Sequence, residues 1–208
     1  MTIDETRAEV QPPVPVVATR RRSWHRRQPY RWIIEWILVL TLALVAALVM
    51  RAYVFQTFYI PSGSMLPTLE IGDRIIVSKI SVELGTIHRG DILVFQRPPR
   101  ESICGEPLIN DLVKRVIGLP GDHLWNVGDV IWVNGHVLKQ NWTHVPQIGS
   151  TPIGTAASPV VVPRNSYFMM GDNEPQSCDS RYWGPVRRDL VVGKVLIRIW
   201  PISRFEFL

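Results

Sequence analysis

Two serines that flank a glycine, in a turn with proline on both sides, are the residues of this chain best placed to do chemistry. Residues 61–69 read PSGSMLPTL. Proline restricts the backbone, while the missing Cβ of Gly63 allows another backbone segment to approach closely. A rigid turn that presents a hydroxyl suits a serine nucleophile. Taken alone, these nine residues are also typical of an ordinary turn in a β-rich domain.

A serine nucleophile needs a base, which is usually a positioned histidine or a lysine kept neutral by its surroundings. The histidines do not form a recognisable triad. His25 precedes the longest apolar stretch, and the other four have no neighbouring acid in a suitable arrangement; these are His88, His123, His136 and His144. The four lysines are therefore the better candidates.

Lys114 stands out among the lysines. Residues 112–117, LVKRVI, are typical of a strand, and period-two alternation places Lys114 on the same face as Leu112 and Val116. Burial disfavours an ammonium ion and lowers the pKa of a lysine, as a lysine base at neutral pH requires. A lysine on an edge strand, where it discourages aggregation, is an alternative that the pattern leaves open.

The longest apolar stretch precedes these residues and predicts a membrane anchor. Residues 32–50, WIIEWILVLTLALVAALVM, correspond to roughly 28 Å of helix, close to the thickness of a hydrocarbon core. A cleaved signal peptide is the competing interpretation. The stretch is longer than a usual signal-peptide core, however, and Val49-Met50-Arg51 lacks a small-x-small exit, which favours a retained anchor.

Arginines concentrate before the anchor. Residues 1–31 contain seven arginines against three acidic side chains, whereas residues 32–208 carry 16 basic and 15 acidic side chains. Basic residues in a tail predicted to be disordered, rather than on a folded surface, argue against a nucleic-acid partner. The positive-inside rule predicts a cytoplasmic tail at 1–31, a single-pass plasma-membrane anchor at 32–50 and an extracytoplasmic domain at 51–208 that contacts membrane lipid.

The extracytoplasmic domain is predicted to be mainly β. Short runs of β-branched residues alternate with turn signals, and Asn134-Gly135 predicts a type I′ hairpin. We expect an antiparallel sheet folded back on itself as a sandwich or barrel, with a small subdomain at roughly 123–165. Residues 141–159 are rich in Gly, Pro, Ser and Thr and are predicted to form a surface excursion. The predicted strands are 74–79, 91–96, 112–117, 130–133, 137–140, 160–162, 167–170 and 190–200.

The two cysteines, Cys104 and Cys178, are 74 positions apart. Neither has a second cysteine or a histidine at metal-ligand spacing, which argues against a zinc site. Outside the cytoplasm they can form a disulfide, although two unrelated free thiols are the alternative.

Three stretches, in this order, resemble the signature boxes of bacterial type I signal peptidases. They are residues 61–69 (PSGSMLPTL), 114–122 (KRVIGLPGD) and 171–184 (GDNEPQSCDSRYWG). Residues 89–95, RGDILVF, resemble a further structural box. Together with the anchor, the similarity covers residues 33–208.

The resemblance implies a membrane-bound serine endopeptidase that needs no cofactor or metal. Such an enzyme works near the secretion translocon and removes signal peptides from secreted preproteins after a small-x-small motif. The resemblance also assigns residue roles: Ser64 as the nucleophile, Lys114 as the general base, Ser62 and the Ser64 N–H as the oxyanion hole, Ser177 as the hydroxyl that orients the lysine amine, and Asp172 with Arg115 and Asp179 with Arg181 as structural ion pairs.

The chain departs from the family pattern at one place. The common GDNRDNSxDSR becomes GDNEPQSCDSR, so Glu174-Pro175-Gln176 replaces an Arg-Asp-Asn triplet. Because the length is kept, Ser177 is still expected to reach the site. The stiffness of this loop and any substrate contact that it makes are left open.

Two other functions compete with this interpretation. The self-cleaving repressors of the DNA-damage response share a Ser/Lys dyad and a β fold, but the anchor argues against them. A single-pass membrane adaptor whose β domain only binds partners is the non-catalytic alternative. It would not require Ser64 and Lys114 to be intact, and both are.

Overall fold

The computed structural model describes residues 30–99, 109–147 and 151–208. The predicted cytoplasmic tail, up to residue 29, and Cys104 lie outside the described residues. The chain divides into two units, Met1–Ala43 and Leu44–Leu208.

Helix α1 spans Tyr30–Tyr53 and includes the predicted anchor. Within it, Tyr30–Leu48 is long and apolar enough to cross a membrane by length and composition. The side chains of residues 30–48 are exposed to the surroundings of the chain, as those of a lipid-facing helix would be. The helix begins before the predicted stretch and ends after it. The residues that extend it, which include tyrosines at both ends and Arg51, are compatible with a helical backbone.

The rest of the chain is mainly antiparallel β, which confirms the predicted fold class. Eight strands form one sheet: β1 (Phe55–Tyr59), β2 (Arg74–Ser78), β3 (Ile92–Gln96), β4 (Asp111–Gly118), β9 (Ser166–Met170), β10 (Val186–Arg187), β11 (Val191–Trp200) and β12 (Glu206–Phe207). Their order in the sheet is β1-β2-β11-β3-β4-β9-β10, and β12 pairs with β11. Strand β4 therefore lies between β3 and β9.

A second, smaller sheet has the strand order β7-β6-β5-β8. Its strands are β5 (His123–Val127), β6 (Val130–Val133), β7 (His136–Val137) and β8 (Val160–Val161). The predicted hairpin is confirmed: Val133 pairs with His136, and Asn134 (φ 50°) and Gly135 (φ 85°) both have the positive φ that a type I′ turn requires.

Three clusters of buried side chains form the core, and they explain how β4 carries Lys114. Leu112 and Val116 pack into one cluster with Leu93 and Phe95 from β3. Val113, which points to the other face, packs against a second cluster. Because Lys114 is buried, it is not the solvent-exposed edge lysine of the alternative interpretation, although β9 pairs with β4 only from Arg115 onward.

The structure corrects several details of the predicted elements. Residues 141–147 and 151–159 are more than a surface excursion: Val145 forms a parallel bridge with Asn173, and Ile153 is buried in the third core cluster. Strand β5 was not predicted, because HLWNV mixes polar with apolar residues. Two one-turn helices, α2 (Ile80–Glu83) and α3 (Ser180–Trp183), are too short to show helical periodicity in the sequence.

Candidate active site

The turn at residues 61–69 holds its two serine hydroxyls close together. The Oγ atoms of Ser62 and Ser64 are 3.4 Å apart. Met65 and Leu69 are buried in the core cluster beneath the turn, and the Leu69 N–H donates to the Met65 carbonyl. The apolar side chains therefore fix the turn, which leaves both serines lining a groove.

Lys114 lines the same groove as Ser62 and Ser64. Its side chain is only 3% exposed, in agreement with the predicted burial, and Ser64 is 7% exposed. The other lining residues come from two extended stretches, 58–61 and 109–113, together with Met65 and Cys178. The fold thus brings two residues that are 50 positions apart in sequence into the lining of one groove.

Gly171 packs tightly between Ser64 and Ser177. A Cβ atom on Gly171 would overlap the Ser64 carbonyl oxygen and the Ser177 Oγ. The prediction that Gly63 provides the close backbone approach is wrong, because a Cβ there would meet only the end of the Leu66 side chain, at 3.1 Å. Ser177 itself is buried, and its Oγ has no hydrogen-bond partner in the part of the chain that the structure describes.

Asp179 and Arg181 form a buried ion pair behind the site. Arg181 Nε donates to Asp179 Oδ1 and Nη2 to Oδ2, both at 2.8 Å. Asp179 also accepts from the Gly171 N–H, and Arg181 Nη2 donates to the carbonyls of Glu174 and Ser177. Asp179 caps helix α3, in which Arg181 lies.

A second ion pair joins β4 to the start of the same loop. Arg115 donates to both carboxylate oxygens of Asp172, at 2.7 and 2.6 Å, and to the Gly90 carbonyl. Thr68, from the turn at residues 61–69, donates to Asp172 Oδ2. The Arg115 guanidinium also lies over the Trp142 ring, 4.9 Å from its centroid. The Asp172 carboxylate therefore links the turn at residues 61–69, strand β4 and the 171–184 loop.

Asn173 lies in the 171–184 box, but its individual role does not follow from the sequence; the structure places it against the turn at residues 61–69. Its backbone N–H donates to the Ser64 carbonyl at 3.1 Å, and its side-chain Nδ2 donates to the Gly63 carbonyl at 3.0 Å. Asparagine at such a position in a sequence is more often a turn former. Only the folded chain shows that it faces the Gly63–Ser64 peptide.

Glu174, the first residue of the departing triplet, is a buried carboxyl. Burial raises its pKa, while the hydrogen bond from the Gln147 backbone N–H and the nearby His144 and Arg181 oppose the rise. Glu174 is therefore accommodated inside the protein, where it ties the 171–184 loop to residues 144–147, whereas Pro175 and Gln176 are exposed.

Replacing Glu174 with glutamine is expected to flatten the pH dependence of stability. Because the folded pKa is raised, the folded state holds the proton more tightly than the unfolded state, so this carboxyl costs stability as the pH rises from about 4.5 through the folded pKa. The glutamine carbonyl can still accept from Gln147 and does not titrate. The urea midpoint of the variant, relative to that of the wild type, should be higher at pH 7 than at pH 4. A difference between the two midpoints that is the same at both pH values would contradict this.

Of the two cysteines, only Cys178 belongs to the described residues. It is disulfide-bonded and lines the groove next to Ser177. Cys104 lies outside the described residues, so the Cys104–Cys178 pairing stays a prediction.

Comparison with known proteins matches residues 33–200 to the family described as signal peptidase, peptidase S26. A signal peptidase I of Leptolyngbya laminosa is 40% identical over 174 residues, which covers 83% of this chain and 82% of the relative. A signal peptidase I of Bacillus caldolyticus is 36% identical over 181 residues, which covers 83% of this chain and 93% of the relative. A crystal structure of a signal peptidase I from Enterococcus faecalis is 29% identical, with a TM-score of 0.40, and covers 52% of this chain and 96% of that one.

Proposed function

Because this chain belongs to the signal peptidase family, peptidase S26, we propose that it cleaves signal peptides from preproteins with Ser64 as nucleophile and Lys114 as general base. The observation that supports this assignment is the groove that Ser64 and Lys114 both line. A buried lysine that lines the same groove as a serine hydroxyl is a suitable base because burial favours the neutral amine.

In the proposed mechanism, the Lys114 amine takes the proton from Ser64 Oγ, which attacks the scissile carbonyl carbon. The negative charge that forms on the carbonyl oxygen is stabilised by the Ser64 N–H and the Ser62 hydroxyl, whose oxygen lies 3.4 Å from Ser64 Oγ. Lys114 then gives its proton to the leaving amine. In the second step the neutral Lys114 amine takes a proton from water, and the water oxygen attacks the acyl group and releases it from Ser64. Ser177, buried next to Gly171, is proposed to orient the lysine amine.

We propose that the substrate binds as an added strand. The groove lies between residues 58–61, at the end of edge strand β1, and residues 109–113. Strand β9 pairs with β4 only from Arg115 onward, so no described strand pairs with that edge of residues 111–113. An extended peptide can use such an edge for main-chain hydrogen bonds, while shallow apolar pockets select small side chains at positions −1 and −3.

A preprotein with alanine at position −1 is expected to be cut far faster than the same preprotein with a bulky −1 residue. The measurement uses detergent-solubilised full-length protein, and Ser64→Ala serves as the inactive control. Equal rates for the two substrates would reject the proposed small-residue pockets. Cleavage by Ser64→Ala at the wild-type rate would reject the nucleophile.

The apolar helix and the family together indicate a membrane-anchored protein, and we propose that its N-terminus is cytoplasmic. The support is the concentration of six arginines at positions 20–31 against the single Arg51. Protease added to intact spheroplasts is expected to digest the region beyond Arg51. Complete protection until the membrane is permeabilised would reverse the orientation.

A further inference from the structure

The carbonyls of Gly63 and Ser64, which belong to two consecutive peptide units, both accept hydrogen bonds from one residue of a distant segment. The Gly63 carbonyl accepts from Asn173 Nδ2 at 3.0 Å and from the Leu66 N–H at 3.1 Å. The Ser64 carbonyl accepts from the Asn173 backbone N–H at 3.1 Å. Asn173 is 110 positions away in sequence and 6% exposed.

The direction of the Ser64 N–H follows from the direction of the Gly63 carbonyl. The two groups belong to one planar trans peptide, in which C=O and N–H point in opposite directions. A donor that fixes the direction of the Gly63 carbonyl therefore also fixes the direction of the Ser64 N–H. Such a restraint is needed here because Gly63 has no Cβ to limit the rotation of its own backbone dihedrals.

The Asn173 side chain is itself held in one orientation. Its amide nitrogen carries two hydrogens, and the second acceptor is Gln176 Oε1 at 3.1 Å. A flipped amide would turn Asn173 Oδ1 toward two carbonyl oxygens, which repel it. Gln176 is one of the three residues at which this chain departs from the common pattern of the box.

We propose that Asn173 is a positioning residue that aims the Ser64 N–H at the developing oxyanion, and that Gln176 holds the Asn173 amide for this purpose. The inference rests on the proposed function, in which the Ser64 N–H is an oxyanion donor. Asn173 does not touch the substrate. It acts through the peptide plane, and its hydrogen bond to the Gly63 carbonyl also polarises the N–H at the other end of the same peptide.

The role predicts a loss in the transition state rather than in substrate binding. Asn173→Ala keeps the backbone N–H that binds the Ser64 carbonyl and removes only the side-chain donor. We expect kcat to fall on the order of 10²-fold, the effect of losing one oxyanion donor, with KM nearly unchanged. The pH at which activity reaches half its maximum should not move, because Lys114 keeps its surroundings.

The test measures two affinities beside the kinetics. A peptide boronate with alanine at the reactive position forms a tetrahedral adduct on Ser64 and places an oxygen in the oxyanion hole, whereas a non-cleavable peptide of the same sequence binds in the ground state only. Asn173→Ala should weaken the boronate in proportion to the loss of kcat/KM and leave the peptide affinity unchanged. Equal weakening of both ligands, or a rise in KM at constant kcat, would overturn the proposal.

Gln176→Ala provides a second variant that does not depend on how Asn173→Ala folds. It should show a smaller loss of kcat with the same selective weakening of the boronate, and combining it with Asn173→Ala should add no further loss, because Gln176 acts through Asn173. Unchanged kcat in Gln176→Ala together with unchanged boronate affinity would reject the role of Gln176, and additive losses in the double variant would do the same.

If the wild type does not cleave preproteins, the proposed function fails; if it cleaves and the Asn173 variant is as active, only this inference fails.

Discussion

Lys114→Arg is expected to reduce preprotein cleavage at least about 10³-fold, as does removing one member of a catalytic unit in other serine peptidases. Arginine keeps the positive charge but does not lose its proton in a protein, so it separates a base from a purely electrostatic role. Lys114→Met removes the charge and should be equally inactive. The rate is measured with the full-length protein and a preprotein that carries alanine at −1.

The matched control for this change is Lys194→Arg. Lys194 also lies on the main sheet, in β11, but forms an ion pair with Asp91 at 2.7 Å and does not line the groove. Arginine can keep that ion pair, so near-normal cleavage is expected. If Lys114→Arg cleaved at a near-normal rate while Ser64→Ala did not, another residue would have to act as the base.

The pH dependence of the wild type tests the same assignment. Only the neutral amine can accept the Ser64 proton, so activity should rise with pH through a single ionisation below the ordinary lysine pKa of about 10.4. The physical reason is the burial of Lys114 at 3% exposure, which disfavours the ammonium form. An activity that does not change between pH 6 and 9 would contradict a lysine base.

Asp179→Ala is expected to have the largest effect on stability. It removes the carboxylate that pairs with the buried Arg181 guanidinium, which costs about 3–5 kcal/mol. It also removes the acceptor of the Gly171 N–H, so the segment that packs between Ser64 and Ser177 loses its anchor. Both the urea midpoint and the cleavage rate should fall sharply.

Asp189→Ala is the control that the chain offers for Asp179→Ala. Asp189 pairs with Arg187, again two positions apart and with two hydrogen bonds, at 3.0 and 2.7 Å. The two pairs differ in burial, since the Arg187 and Asp189 side chains are 70% and 54% exposed and those of Arg181 and Asp179 are 2% and 0% exposed. We expect a change within about 0.5 kcal/mol for Asp189→Ala. Similar losses in the two variants would show that burial does not decide the effect.

Some features of the site could be predicted from the sequence and others could not. The burial of Lys114 follows from strand periodicity and the hairpin at Asn134-Gly135 from turn chemistry, whereas the choice of Ser64 as nucleophile depends on the family resemblance. The contacts of Gly171 and Asn173 could not be predicted, because they depend on how two segments more than 100 residues apart meet. The same holds for Glu174, whose burial depends on residues 144–147 folding over the loop.

Strand β4 places Lys114 and Arg115 next to each other in sequence but on opposite faces of the main sheet. The first lines the groove with Ser64, and the second holds Asp172. Since side chains alternate along a strand, deleting one residue of β4 before position 114 would move Arg115 into the place of Lys114, and inserting one would move Lys114 to the opposite face. Either change is expected to remove the lysine from the groove, whereas substitutions that keep the strand length need not. A designer who splices a tag or sensor into this protein should choose a turn between strands instead.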